Sequence, residues 1–233
     1  MINPILDNAG TGITECDVVD KLNEFYRAQK DFRGQSFDTI SSSGPTGSII
    51  HYKPKPGSDR KIEKCMFLLD AGAHYTCGTT DTTRTVHCGE PSDFEKECYT
   101  RVLMGHINLA KLRFPEGTRG PALDVLTRQP LWEAGLQFNH GTGHGIGCWL
   151  NVHEPPTGLY LSPRLEIDLF SHSFIFQDWI VSLSLLISST LKDTALPTSP
   201  DSTKMASSVS ELKTPFMSLM SRLNTTYLKA PNS

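Results

Sequence analysis

The pattern of apolar and polar residues predicts an amphipathic helix near the start of the chain. Beyond Thr14, apolar residues recur at helical spacing, at Val18, Leu22, Phe25 and Tyr26. This spacing places them on one face of a helix. Thr14 and Asp17 resemble a capping box, in which each side chain accepts a hydrogen bond from the other residue's backbone amide. We therefore expect a helix that begins directly after Thr14.

Short extended runs separated by turn residues follow this helix. The stretch SFDTISSSGPTGSIIHYKP predicts two strands around the turn GPTG at 44–47, with His51 near the end of the second. The stretch CMFLLDAGAHYTCGTTDTTRTVHCG predicts a strand, a glycine-containing turn and another strand. Asp70 and Asp81 fall in or beside these last two strands.

Two further helices are predicted in the middle of the chain. Residues 91–114 combine apolar positions with acidic residues early and basic residues late, the order that a helix dipole favours. Residues 122–134 form a second helical pattern with Gly135 as its stop, although Pro130 argues against one unbroken element. Helices and strands in this mixture predict an α+β domain.

The character of the chain changes after Gly158. Residues 160–189 are dominated by Leu, Ile, Phe and Ser, and residues 190–233 are rich in Ser, Thr, Lys and Pro with weak periodicity. The pattern therefore predicts a domain over 1–158 and an irregular or disordered tail over 159–233.

Composition excludes several classes of function. The 233 residues carry 22 basic and 25 acidic side chains, a net charge of −3, which is not the basic footprint of a nucleic-acid-binding protein. Six cysteines without a Cys-x-x-Cys pair predict neither a zinc ribbon nor a disulfide framework. The N-terminus has no signal-peptide pattern, and polar residues interrupt the apolar stretch 169–187. We expect a cytoplasmic protein with no nucleic-acid or membrane partner.

Two aspartates have the surroundings of metal ligands. Asp70 closes the apolar run MFLLD, and a buried carboxylate is costly unless it is paired or bound to a cation. A hairpin would bring Asp81 beside it. Two carboxylates with an imidazole suit manganese, cobalt, iron or zinc. For either aspartate alone, the capping of a turn is the simpler interpretation.

The segment HGTGHGIG supplies the imidazoles. Its glycines alternate, so they do not match the G-x-G-x-x-G pattern of a dinucleotide loop. Alternating glycines instead allow close approach of a ligand and leave room for His140 and His144 to point into a cavity. The remaining histidines that lack such neighbours are interpreted as ordinary structural residues: His74, His87, His106 and His172.

Taken together, these motifs resemble a known family. FLLDAGAHYTCGTTDTTRTVH, HGTGHGIG and NVHEPPTG resemble the catalytic domain of the Xaa-Pro aminopeptidases (aminopeptidase P), which are pita-bread metallopeptidases, and DTISSSGPTGSIIHYKP matches upstream. The resemblance runs from about residue 18 to 158. It implies a partial pita-bread fold and a hydrolase with two divalent metal ions, usually manganese. The substrates would be short peptides with proline second, and a homodimer is compatible with the family.

The resemblance also implies roles for six residues. The metal ligands would be Asp70, Asp81 and His144. Asp81 would bridge both ions. The substrate-binding and proton-handling histidines would be His51, His140 and His153.

The sequence departs from the family where two glutamate ligands are expected, in E-P-G and R-x-E-D motifs. Glu154 belongs to the VHE element, while Glu166 and Glu211 lie in no matching context. Suitable codons for 199–213, read in another frame, give EPGFYKDGKFGIRIED, which contains both motifs. We therefore interpret the chain from about residue 159 as a retained intron followed by an out-of-frame exon, with an authentic splice form as the alternative. Two domains that precede the catalytic domain in the family are also absent.

Two hypotheses about function follow. The chain is either a fragment of a cytosolic metalloaminopeptidase, or a catalytically inactive pita-bread binding module or non-functional splice product. Because three of five protein ligands are in place, binding of two metals is expected to be greatly weakened. Methionine aminopeptidase and creatinase, which are other pita-bread enzymes, are disfavoured by HGTGHGIG followed by NVHE and by the upstream IIHY.

Overall fold

The computed structural model describes residues 2–115 and 118–159, in which pairs of helices are followed by runs of strands. In chain order they are α1 (Ile2–Asn8), α2 (Glu15–Arg27), β1 (Phe32–Gln35), β2 (Ile40–Ser43), a 3₁₀ helix (Gly44–Ser48), β3 (Met66–Ala71), β4 (Ala73–Tyr75), β5 (Gly78–Thr79), β6 (Thr82–His87), α3 (Asp93–Ala110), α4 (Gly120–Trp132), β7 (Gly143–Gly145) and β8 (Glu154–Leu159). The predicted irregular tail lies outside the described residues from 160 onward, so the division at 158 stays a prediction.

The N-terminal capping box is confirmed. Thr14 Oγ1 accepts a hydrogen bond from Asp17 N at 3.2 Å, and Asp17 Oδ2 accepts one from Thr14 N at 2.8 Å. These two bonds fix the start of α2 at Glu15. The sequence analysis did not predict α1, a seven-residue helix whose Ile5 is buried against the same core as α2.

The central sheet has the antiparallel order β2-β3-β6. Its middle strand is buried on both faces, and alternate side chains point to opposite sides. Phe67, Leu69 and Ala71 pack with residues of α1 and α2, while Met66 packs with residues of α3 and α4. Asp70 is an even step from Met66 along β3, so its side chain points to the side of α3 and α4.

The helices α3 and α4 pack closely against each other. A Cβ atom at Gly105 would overlap the backbone of Thr127, so only glycine allows this approach. The helix predicted over 91–114 is shorter in the structure, with Ser92 as its N-cap. The helix predicted over 122–134 runs unbroken through Pro130, which lies in its last turn, and Arg101 Nη1 donates to the carbonyl of this proline at 2.7 Å.

The second extended run predicted after 47 is wrong. The segment forms the 3₁₀ helix and then a turn in which Tyr52 N donates to Ile49 O at 3.1 Å. His51 occupies the third position of that turn with φ 55°. The run takes this shape because it does not pair with a neighbouring strand and its polar groups bind Glu15 instead.

Two smaller sheets complete the described part of the chain. One has the order β1-β4-β5, and the other is the pair β7-β8, which carries His144 opposite Gly158. Gly135 ends the α4 region with φ 68°, as predicted for a helix stop. Within residues 2–115 and 118–159, no helix is long and apolar enough to cross a membrane.

Candidate metal and histidine site

The hairpin between β3 and β6 brings the two aspartates together. Asp70 lies opposite Thr83 in the register of the central sheet, and Asp81 directly precedes β6. The side chains interact, and the charge of Asp81 helps to raise the pKa of Asp70. The predicted convergence of the two carboxylates is therefore present in the structure.

Asp70 has an oxygen to which no described protein group donates a hydrogen bond. Its Oδ1 atom is buried without a hydrogen-bond partner in the described part of the chain. Burial, followed by the charge of Asp81, raises the pKa of Asp70 from 3.8 to about 7. A buried carboxylate beside a second carboxylate is unfavourable unless a cation neutralises the pair.

His144 adds an imidazole to the two carboxylates. Its Nε2 lies 3.2 Å from Asp81 Oδ2. Its Nδ1 lies 2.8 Å from the carbonyl oxygen of Gly145, which only accepts, so Nδ1 carries a proton. Burial lowers the pKa of His144, but the hydrogen bonds to Asp81 and to the Gly145 carbonyl, together with the charges of Asp81 and Asp70, outweigh this effect and the net pKa is raised.

The chemistry of these side chains fits divalent metal ions. The donors would be oxygens of Asp70 and Asp81 and Nε2 of His144, a set that suits manganese, cobalt, iron or zinc. Because Nδ1 donates to the carbonyl of Gly145, Nε2 is the nitrogen that would bind a metal ion once it has released its proton and its contact with Asp81. Within the described ranges, no three His, Cys, Asp or Glu side chains already form a group that could hold a metal ion. The contact between His144 and Asp81 would have to open.

His140 lies beside this group as a neutral base. Its Nδ1 donates to the carbonyl of Gly141 at 2.7 Å, while its Nε2 is buried without a partner among the described residues. Its ring packs on Phe138, with 4.7 Å between the centroids. Burial lowers the pKa of His140, so that near neutral pH the Nε2 lone pair is free to accept a proton.

His153 and His51 complete the cluster. The ring of His153 lies 4.0 Å from that of His144, and burial followed by the charge of His144 lowers the pKa of His153. The side chain of His51 is close enough to lower the pKa of both His140 and His153. All six residues predicted from the sequence therefore lie in one region.

A buried ion pair on α4 supports the histidine segment. Arg128 Nε donates to Asp124 Oδ2 at 2.6 Å, and both side chains are almost fully buried. Arg128 also donates to the carbonyl oxygens of Phe138 at 2.6 Å and His140 at 2.8 Å. Asp124 accepts from Thr142. The pair thus holds the backbone at His140 and the residues on either side of it in the chain. Sequence analysis missed this pair because LDVLTRQ has an ordinary helical pattern.

Other histidines have partners outside this group. His74 Nδ1 lies 3.0 Å from Thr79 Oγ1, and its ring contacts that of Trp149. His87 accepts from the backbone of Gly89 and lies 3.9 Å from Glu95. These contacts agree with their interpretation as structural residues, whereas His172 lies outside the described ranges.

Comparison with known proteins identifies relatives of this arrangement. A sequence model of metallopeptidase family M24 matches residues 1–169. Aminopeptidase P2 of Arabidopsis thaliana is 57% identical over 148 residues, which are 63% of this chain and 21% of that protein. Aminopeptidase P1 of Lotus japonicus is 55% identical over 153 residues, 65% of this chain and 23% of that protein. The chain therefore spans less than a quarter of the length of these curated relatives.

Solved structures share the fold. The X-prolyl aminopeptidase of Caenorhabditis elegans, described as a cytosolic enzyme with a di-nuclear active site, matches with a TM-score of 0.64 and 46% identity. That match covers 67% of this chain and 26% of the worm enzyme. Xaa-Pro dipeptidase of Bacillus anthracis matches with a TM-score of 0.60 and 35% identity, over 72% of this chain and 45% of the bacterial one. The predicted partial pita-bread fold is confirmed.

Proposed function

Because the chain belongs to metallopeptidase family M24, we propose that it is the core of a metal-dependent aminopeptidase that releases the N-terminal residue from Xaa-Pro peptides. The observation that carries this proposal is the buried oxygen of Asp70 that has no hydrogen-bond partner among the described residues, beside Asp81 and His144. The plant aminopeptidases and the worm enzyme support the choice of substrate class.

We assign the metal ligands to Asp70, Asp81 and His144, which would hold the ions through their carboxylate oxygens and imidazole nitrogen. Two manganese ions are our choice, because the donors are two carboxylates and one imidazole and because the worm enzyme is described as di-nuclear. Such ions, when bound, lower the pKa of a water molecule and polarise the scissile carbonyl.

The histidines would handle protons and orient the peptide. His140 is held neutral, and its Nε2 would accept a proton near neutral pH. His153 is neutral for the same reason, and its ring lies tilted beside that of His144, where it would contact the substrate. The turn that holds His51 places a third imidazole near both, to bind the peptide or donate to the leaving proline nitrogen.

The number of metal ligands in the chain sets the strength of metal binding that we expect. The sequence supplies three ligands in family motifs, so the isolated chain should bind two metals weakly. The cytosolic description of the worm enzyme supports a cytoplasmic location. A homodimer stays a prediction of the family resemblance.

The test compares two tripeptides that differ only at the second residue, one with proline and one with alanine. The full chain is incubated with excess Mn²⁺, and the released N-terminal residue is quantified. We expect release from the proline peptide alone, and loss of this release with chelator and in Asp81→Asn. Release that is independent of metal or of proline would contradict the proposal.

A second candidate is a pita-bread binding module without hydrolytic activity, because the sequence lacks both glutamate motifs. The same experiment separates the two. Binding of the proline peptide by calorimetry without release of its first residue would favour the binding module. Binding followed by release favours the aminopeptidase.

A further inference from the structure

Glu15 is a fully buried carboxylate with an exposed fraction of 0%. It accepts four hydrogen bonds, and none comes from a charged side chain. Ser43 N and Thr46 Oγ1 donate to Oε1 at 2.7 and 2.6 Å, while Tyr52 OH and Arg60 N donate to Oε2 at 2.7 and 3.0 Å. The site described above does not use this group, so its complete set of partners requires another explanation.

Three of the four donors belong to the segment 43–52, which begins at Ser43, the last residue of β2, and ends directly after His51. Beyond Ser43 this segment does not pair as a strand in the central sheet, and the hydroxyls of Thr46 and Tyr52 bind Glu15 instead. The N-terminus of α2 thereby anchors the segment that carries His51.

His51 has a backbone conformation that its surroundings must impose. Its φ of 55° is left-handed, a region that residues other than glycine adopt uncommonly, although histidine does so more often than most. Such a conformation persists only where neighbouring contacts over-determine it. Tyr52 closes the turn through its backbone N–H on Ile49, and its hydroxyl is fixed on Glu15. Burial, followed by this hydrogen bond, raises the pKa of Tyr52, so the hydroxyl keeps its proton and donates.

We propose that Glu15 is a positioning residue, which fixes the turn of His51 through Tyr52 and so directs that imidazole toward His140 and His153. The importance of this position for catalysis rests on the proposed function. The conformational coupling itself does not, because it is a property of the metal-free chain. A glutamine cannot replace Glu15, because in either orientation its NH₂ group faces a backbone N–H, that of Ser43 or that of Arg60.

The test is solution NMR of the full chain in chelator. The backbone carbon shifts of His51 report its φ angle, and its imidazole signals are assigned by their absence in His51→Gln. Amide exchange at Ser43 and Arg60 reports the hydrogen bonds to Glu15. In Glu15→Gln we expect the His51 shifts to leave their left-handed values, and amide protection to fall about tenfold or more.

Tyr52→Phe is the second variant, and it keeps the proposal testable if Glu15→Gln does not fold. It removes one hydrogen bond to Glu15 and leaves the other three. We expect the same change of the His51 shifts, with amide protection at Ser43 retained. Lys53→Ala is the matched control, since Lys53 directly follows the segment and its exposed ion pair with Asp38 lies outside the network. It should leave His51 unchanged.

Wild-type His51 shifts in both folded variants, Glu15→Gln and Tyr52→Phe, would overturn the proposal. So would an equal displacement of His51 in Lys53→Ala. Failure of the chain to hydrolyse any peptide would contradict the proposed function and leave the coupling between Glu15 and His51 intact.

Discussion

Glu15 and Asp70 are both carboxylates inside the protein, but their oxygens have different surroundings. Four protein donors contact Glu15, so its charge is satisfied within the fold. Asp70 lies beside a second carboxylate, and one of its oxygens is buried without a partner in the described ranges. Burial alone therefore does not identify a ligand site. The distinction is whether the protein itself supplies the partners that a buried carboxylate needs.

Asp124 is a third case, in which the cationic side chain of Arg128 neutralises the buried carboxylate. The loss of this cation gives the largest expected effect on the free energy of unfolding. Arg128→Met would leave Asp124 charged and buried, and would free the carbonyls of Phe138 and His140. We expect the free energy of unfolding in urea to fall by about 3–5 kcal/mol. Lys96→Met, which breaks an exposed pair on α3, is the control and should change little. Equal effects would mean that the buried pair has no special role.

Glu15→Gln tests the satisfied carboxylate. Because a backbone N–H is left facing an NH₂ group, we expect a loss of about 2–4 kcal/mol in the free energy of unfolding. Glu24→Gln on the same helix removes only an exposed pair with Lys21, and we expect a free energy close to wild type. A Glu15→Gln protein as stable as wild type would show that the four contacts are dispensable.

Asp70→Asn should have the opposite sign in chelator. The pKa of Asp70 is about 7 in the fold and 3.8 as an ordinary carboxyl, so the folded state binds the proton more tightly. Its contribution to stability is complete below pH 3.8 and is lost as the pH rises through 7. We expect Asp70→Asn to be more stable than wild type by about 2 kcal/mol at pH 8, with a smaller difference at pH 4. Urea unfolding at both values checks this, and destabilisation by Asp70→Asn at pH 8 would contradict it.

Local patterns were sufficient to predict much of the fold and the site. The α2 cap depends on Thr14 and Asp17, which are three residues apart, and both were recognised. The hairpin that joins Asp70 to Asp81 is also local in sequence. The histidines were found because glycines surround them and because the motifs resemble a family. Each of these signals lies within a short stretch of chain.

The supporting contacts could not be predicted because they join distant segments. The partners of Glu15 lie 28 to 45 residues away in sequence, and all four are backbone N–H or hydroxyl groups common to many positions. The segment after residue 47 was wrongly predicted as a strand because its contact with Glu15 also joins distant parts of the sequence. Its apolar residues have strand propensity, but the hydrogen bonds to Glu15 override it. The bond from Arg101 to the carbonyl of Pro130 is again a contact between distant segments.

The most direct test of the account is the effect of Mn²⁺ on the stability of the full chain and of Asp70→Asn. A ligand that binds only the folded state stabilises it by an amount set by its concentration relative to Kd, about 2.7 kcal/mol at 100 times Kd. We predict that the free energy of unfolding of the wild-type chain rises in proportion to the logarithm of the Mn²⁺ concentration. Mn²⁺ should have no such effect on Asp70→Asn. An equal response of both proteins, or none in the wild type at millimolar Mn²⁺, would contradict the assignment of Asp70 as a metal ligand.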